Sequence, residues 1–294
     1  MNNSGKGLVT VIIIIAVLCI VFLAAGFMVL SAWGGLEWWE KIPEDARNVE
    51  EFSINDIQEA KVDDYSKFEI SSVSSDMNIE YADTDTVKVV LSGSYRSARG
   101  KIKLVKQTLG NTVKIYVDYP KMSGLFTWNE TNLTITLPKD MQNKVLVFST
   151  VSGDVDIPSG LQVESIRVNT TSGDVQADSV ECQQFESDTV SGETDVSGII
   201  ADYVKVNTVS GDTDVRLING TERVIISSVS GSADIILDKN LDFTFEFDTV
   251  SGDIDCSFPV YMSGDRSDKS GYTSENADLE IDVDTVSGDL TIRH

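Results

Sequence analysis

Asp212 and Asp214, and again Asp253 and Asp255, stand one and three residues after a glycine. Carboxylates so spaced suit two kinds of chemistry. Oxygen-rich Asp turns hold Ca²⁺, and paired carboxylates hydrolyse glycosidic bonds. The pairs recur, however. The residue after each glycine is Asp154, Asp174, Glu193, Asp212, Ser232, Asp253 or Asp289, and the third after it is Asp156, Gln176, Asp195, Asp214, Asp234, Asp255 or Thr291. A reacting centre occurs once, whereas this acidic pair repeats. The single histidine, His294, rules out the usual serine or cysteine triad. There is no H-E-x-x-H, P-loop or dinucleotide fingerprint. The expectation is therefore no catalytic residue and no enzyme. A carbohydrate-active enzyme working through carboxylates stays open as an alternative.

The glycines themselves are Gly153, Gly173, Gly192, Gly211, Gly231, Gly252 and Gly288. All follow a serine, and the period is near twenty residues apart from one longer interval at the end. "SSVSSDMNI", residues 71–79, is a degenerate earlier copy with Ser75 in the glycine position. Because 78 residues separate Ser75 from Gly153, this copy reads as lying about four periods before the others. A fixed period of this length marks a repeat architecture. Seven and five residues before each glycine the chain is mostly apolar, as in Val204 and Val206, with a mostly polar residue such as Lys205 between. That alternation, rich in β-branched and aromatic residues, reads as a half-buried strand. Each unit is then strand, Ser-Gly corner, short strand and return. The glycine is expected to supply a backbone angle that other residues avoid.

Such units stack, and the fold class expected is all-β: a single-stranded β-solenoid of ~20-residue coils, right-handed as parallel crossovers are. A flatter stack of sheets is the alternative. Stacked carboxylates would stand about 5 Å apart, at a cost on the order of 1 kcal/mol per pair in water. Solvation relieves that repulsion, and so does Ca²⁺. Interruption of the rows by Gln176, Ser232 and Thr291 favours solvation, so no cofactor is expected. A Ca²⁺-stabilised β-roll-like adhesin, with Asp212, Asp214, Asp253 and Asp255 as metal candidates, is the second reading.

Residues 8–30, "LVTVIIIIAVLCIVFLAAGFMVL", contain no charge and no proline. About 20 apolar residues span a bilayer. Lys6 before the run and Glu37 and Glu40 after it place residues 1–7 in the cytoplasm. A cleaved signal peptide, cut near Ala32, is the rival reading, but its apolar core would be only about 7–15 residues. The expected organisation is a cytoplasmic N-terminus at 1–7, a transmembrane helix at 8–30, a juxtamembrane stalk at 31–60 and an extracytoplasmic domain at 61–294. The lipid bilayer is a partner through residues 8–30. A net charge of −24 excludes nucleic acid. Three cysteines make no disulfide framework, so Cys182 and Cys256 are expected as free thiols. Met122, Leu125, Phe126 and Trp128, in "KMSGLFTWNET", form either a tip covering the core or an aromatic contact for a partner. Tyr261, Met262 and Tyr272 suggest a weaker version of the same, around a polar excursion at 262–278 that reads as a solvated loop.

The "TVSGD" corners, the "LTITLPKD" segment at 133–140 and the N-terminal apolar run together resemble the bacterial putative-adhesin family of unknown function, also called Toastrack, over residues 61–294. That resemblance implies a β-solenoid-like domain outside the cytoplasm. It also implies a non-catalytic binding or scaffold role in the cell envelope, either adhesin-like or linked to envelope stress, with an envelope protein or surface ligand as partner. It carries over no site residues.

Overall fold

The structure, a computed structural model, describes residues 50–97, 101–119, 128–218 and 220–294. The helix expected at 8–30 lies outside the described residues. No helix among those described is long and apolar enough to cross a membrane.

Apart from a 3-10 turn at Val62–Asp64, every regular element described is a strand. The first seven strands are β1 (Glu50–Lys61), β2 (Lys67–Ser71), β3 (Asp76–Tyr81), β4 (Thr86–Ser97), β5 (Lys103–Leu109), β6 (Thr112–Asp118) and β7 (Trp128–Leu137). The regular region holds β8 (Asp140–Ser149), β9 (Val155–Ile157), β10 (Gln162–Asn169), β11 (Val175–Asp178), β12 (Glu181–Asp188), β13 (Thr194–Asn207), β14 (Thr213–Leu217), β15 (Arg223–Ser227) and β16 (Ala233–Ile236). The last six are β17 (Phe243–Thr249), β18 (Ile254–Cys256), β19 (Tyr261–Gly264), β20 (Asp268–Tyr272), β21 (Leu279–Thr285) and β22 (Leu290–Arg293).

These strands form two faces. Sheet A runs β1-β4-β7-β3-β9-β11-β13-β14-β16-β22-β18. Sheet B runs β5-β6-β2-β8-β10-β12-β13-β15-β21-β17-β20-β19. β13 contributes its first half to sheet A and its second half to sheet B, so the two are continuous there. In the regular region the chain crosses from a sheet B strand through the Ser-Gly corner to a sheet A strand, then returns one rung further along. Equivalent strands are parallel neighbours. The alternating apolar residues point inward, and Leu146, Phe148, Ile166, Val168, Val204, Val206, Val224 and Ile226 are all fully buried. Inward polar residues find each other: the Ser187 and Thr194 hydroxyls, from opposite faces, hydrogen-bond across the core at 3.1 Å.

Both ends depart from chain order. β2 and β3 pair directly with β8 and β9. The degenerate copy around Ser75 is thus the immediate neighbour of the first regular coil, not four rungs away. The residues between build an outer coil, β6 and β7, and the antiparallel strands β1, β4 and β5. At the other end, β21 and β22 insert between β15/β16 and β17/β18, so the last coil in sequence is the penultimate one in space.

Two sequence expectations are corrected here. Residues 50–60, expected in the stalk, belong to β1, paired along its whole length with β4, with Phe52 stacked on Tyr95. β1 also closes this end onto sheet B. The Asp56 carboxylate accepts the Leu104 N–H at 2.9 Å, and the Gln58 amide donates to the Leu104 carbonyl at 3.1 Å. The excursion at 262–278 is not a loop throughout. Most of β19 and all of β20 fall within it and form an antiparallel hairpin on the outer edge of β17. An edge strand left bare would present unpaired N–H and C=O groups, and the hairpin satisfies them.

Candidate functional site

The repeated corner is the feature whose chemistry was in question, and the structure assigns a task to most of its residues. The threonine three before the glycine is buried, and its hydroxyl accepts the glycine N–H. The distance is 3.0 Å at Thr150–Gly153, 2.9 Å at Thr170–Gly173, Thr189–Gly192 and Thr208–Gly211, and 3.0 Å at Thr285–Gly288. Ser228 does the same for Gly231 at 2.7 Å. The serine before the glycine donates its N–H to a carbonyl of the adjacent coil, and at Ser152, Ser172, Ser191, Ser210 and Ser230 its hydroxyl reaches the same carbonyl. Ser210 reaches the Val190 carbonyl at 2.9 Å through its N–H and 3.3 Å through Oγ.

Glycine is required by proximity, not by backbone angle. None of the seven corner glycines is among those with positive φ. A Cβ at Gly173, Gly192, Gly211 or Gly231 would lie 1.9 Å from the carbonyl oxygen of the preceding corner's glycine. At Gly288 and Gly252 the distance is 2.0 Å, to Gly231 and Gly288 respectively. Gly153 meets the Ser75 carbonyl at 2.1 Å. The corners therefore form one ladder in the order Ser75, 153, 173, 192, 211, 231, 288, 252. Ser75 carries a side chain at its rung, and its hydroxyl meets the Thr131 hydroxyl at 2.7 Å.

The carboxylate after the glycine is a rung as well. Asp76, Asp154 and Asp174 each accept the N–H of the residue after the next corner, that of Asp154 (3.1 Å), Asp174 (2.9 Å) and Glu193 (2.8 Å). Asp212 accepts the Ser232 N–H at 2.9 Å, and Asp289 the Asp253 N–H at 2.8 Å. The longer Glu193 breaks the series: no hydrogen bond among the described residues joins it to the Asp212 N–H.

The second acidic row lies alongside on the outer face of sheet A, where Asp195, Asp214 and Asp234 stand in register. Burial and then Asp234 and Asp195 hold the Asp214 carboxyl above the usual range. Burial and the neighbouring Asp214, Asp174, Asp212 and Asp195 do the same to Glu193. Arg293 forks onto Asp234, Nε to Oδ1 at 2.9 Å and Nη2 to Oδ2 at 2.6 Å.

Of the metal candidates, Asp212 and Asp214 sit together on one coil, and Asp253 and Asp255 on another. Two coils, those of Ser232 and Asp289, separate them. No group of three or more His, Cys, Asp or Glu placed to hold a metal occurs among the described residues. Met122, Leu125 and Phe126 lie outside the described residues, and the backbone of Trp128 opens β7 opposite Arg96. Tyr261 and Met262 are exposed on the end hairpin, with Tyr261 against Tyr272 at 5.5 Å. Cys182 is a buried free thiol, pushed up to about 12 by burial and by Asp202, and Cys256 is a half-buried free thiol.

Sequence reasoning missed a second acidic feature, on sheet B. Glu246 and Asp248 of β17 stand in register with Asp282 and Asp284 of β21, and Asp268 of β20 stands opposite Asp248. The long last spacing signalled an excursion, but only the out-of-order insertion brings these residues side by side. Elsewhere on this face the ladders alternate in charge: Glu69 lies between Lys67 and Lys114, and Glu186 between Arg167 and Lys205.

The architecture defines a class: an all-β protein of stacked parallel coils with a glycine ladder along one corner. Two overlapping stretches, residues 65–224 and 148–293, match the family described as Toastrack DUF4097, and the chain belongs to that family. Among solved structures it is similar to a putative cell adhesion protein from Clostridium sporogenes ATCC 15579, at 13% identity and TM-score 0.39, covering 82% of this chain and 99% of that one. A putative adhesin from Bacteroides fragilis NCTC 9343 matches at 13% identity and TM-score 0.45, covering 81% and 97%. A putative adhesin from Parabacteroides distasonis ATCC 8503 matches at 12% identity and TM-score 0.41, covering 84% and 97%. No curated protein matches the chain.

Proposed function

We propose that this chain is a non-catalytic binding or scaffold module of the bacterial cell envelope. Residues 8–30 tether it to the membrane, and its coils form a single-stranded β-solenoid that displays its outer faces outside the cytoplasm. One observation carries the reading: the repeated phrase, the most conspicuous chemistry in the sequence, is occupied by structure, its Ser and first Asp positions in coil-to-coil hydrogen bonds and its Thr hydroxyl in a bond to the glycine N–H of its own corner. Groups so occupied hold a rigid platform and are not free for turnover. The apolar run supports the tether, and family membership supports the adhesin-like role.

Cell fractionation tests the placement. The full-length chain should sediment with membranes, and protease added outside intact cells should remove an epitope at the C-terminus. Recovery in the soluble cytoplasmic fraction refutes the tether. For the absence of catalysis, the full chain is incubated with a panel of cell-wall and capsular glycans. Turnover that disappears in Asp212→Asn or Asp214→Asn would establish an enzyme instead.

A further inference from the structure

Two of the buried oxygen atoms without partners among the described residues, Asn207 Oδ1 and Ser227 Oγ, share one row with the sheet B acidic seam. On the outer face of sheet B, the position four before each glycine forms a row that reads Asp188, Asn207, Ser227, Asp284, Asp248 in space. The Asn207 amide donates to Asp188 Oδ1 at 2.7 Å. Its own carbonyl oxygen, Oδ1, has no hydrogen-bond partner among the described residues, and neither has the neighbouring Ser227 Oγ. Both residues are nearly inaccessible, Asn207 at 5% and Ser227 at 3% exposure. A buried polar atom left unpaired costs more than the paired bond returns, so this gap calls for a donor.

Donor counting identifies it. Ser227, in register beside Asn207, makes no side-chain bond to it in the structure, but on side-chain rotation its hydroxyl can give its one proton to Asn207 Oδ1. Its oxygen then needs a donor from the other side, where Asp284 stands in register. A carboxylate offers none, and a carboxylic acid offers one. The charges facing Asp284 favour the acid form. Asp248 lies beside it on β17, with Glu246 one step back, Asp268 beyond on β20, and Asp282 and Glu280 on its own strand. On β15, Arg223 pairs with Glu280 and Asp282 and not with Asp284. Lys269 of β20 lies over the Phe247 ring.

We propose that Asp284 is a proton-operated latch. In its acid form it completes a hydrogen-bonded row through Ser227 and Asn207 to Asp188 and removes the repulsion from Asp248. The inserted coil β21 is thereby locked to β15 on one side and to the end coil β17, with its hairpin, on the other. Ionisation opens the row and sets Asp284 against Asp248, which loosens the end unit at 243–272. Burial first, then Asp248, Asp282 and Glu246, raises the Asp284 carboxyl from its ordinary 3.8 to about 6. The folded chain therefore holds this proton where the unfolded chain has released it. Between about pH 4 and 6 the folded state binds more protons, so stability falls as pH rises through that window.

Hydrogen exchange of the full-length chain in detergent micelles, corrected for intrinsic rates, tests this between pH 5 and 7.5 at low salt. Protection of β17 and β21 amides should fall on the order of tenfold as pH rises, after allowance for partial solvent screening, while β10 and β12 stay level. Asp284→Asn keeps a donor and removes the charge, so it should hold the acid-level protection at pH 7.5. Asp248→Asn removes only the repulsion and should move the midpoint down. A flat wild-type profile overturns the proposal. So does an unchanged pH dependence in Asp284→Asn or, should that variant not fold, an unmoved midpoint in Asp248→Asn. Restoration of protection at pH 7.5 by millimolar Ca²⁺ alone would also overturn it, by identifying a cation site in place of a proton site.

Discussion

Gly192→Ala puts the glycine ladder to a direct test. The added Cβ would stand 1.9 Å from the Gly173 carbonyl oxygen and 2.6 Å from its carbonyl carbon. Ordinary carbon–oxygen contact begins at roughly 3.3 Å, so the two corners must separate by about 1.4 Å. The obstacle is backbone, which no rotamer change can move aside. Three of the bonds that cross that junction come from the Gly192 corner's own donors: Ser191 N–H to the Thr171 carbonyl at 3.0 Å, Ser191 Oγ to the same carbonyl at 3.3 Å, and Glu193 N–H to Asp174 Oδ1 at 2.8 Å. Stretched by that amount, all three pass beyond hydrogen-bonding range. At about 1 kcal/mol net each, the loss is about 3 kcal/mol. For a domain of this size that lowers Tm by about 6–12 °C. Thermal denaturation followed by circular dichroism measures it. Gly110→Ala is the comparison. It has nothing within 4 Å but a φ of +58°, so it incurs backbone strain of about 1–2 kcal/mol without moving a neighbour. A Gly192→Ala melting point that falls no further than that of Gly110→Ala refutes the close-approach argument.

Other expectations follow from the same corner. Glu193→Asp shortens the one carboxylate that misses its rung, and should add stability, a few tenths to about 1 kcal/mol, by reaching the Asp212 N–H, as a slightly raised melting point would show. Thr189→Val removes the acceptor of the buried Gly192 N–H and should cost about 1–3 kcal/mol. Thr249→Val at the end coil should cost far less, because the Thr249 hydroxyl has no partner among the described residues; equal losses in a chemical-denaturation series would contradict the assigned role. Cys182, buried and with its thiol pushed up to about 12, should resist iodoacetamide at pH 8 until the chain is unfolded, as site-resolved mass spectrometry would show.

How much of this was legible beforehand depends on whether the controlling interaction is local. Alternation at Val204, Lys205 and Val206 announced a half-buried strand, because side chains on a strand point to opposite faces whatever surrounds them. The period near twenty announced the stacking, since coils that bury their apolar faces against one another must repeat their pattern. The serines and aspartates of the corner were visible as a recurring phrase, but their use was not, because their partners lie about twenty residues away. The glycine is the sharpest case. Its recurrence at Gly173, Gly192 and Gly211 was plain, and the reason expected for it, an unusual backbone angle, was local. The actual reason is the carbonyl of the neighbouring coil, which no window of sequence contains.

The ends show the same division. Phe52 and Ile54 carried an alternating pattern, yet acidic neighbours made 50–60 read as stalk until pairing with β4 fixed it as a strand. Ser75 lies 78 residues from Gly153, and only the pairing of β3 with β9 makes them adjacent rungs. Asp248 and Asp284 lie 36 residues apart in sequence and side by side in space, because the final coil inserts next to β15 ahead of the one that precedes it in the chain. Composition, period and alternation thus determined the class of structure, since each is a property of a strand and its immediate neighbours. The order of the coils, and with it which carboxylates must share a seam, was decided by tertiary pairing, in which hydrogen bonds and burial select among rungs that the sequence makes nearly alike.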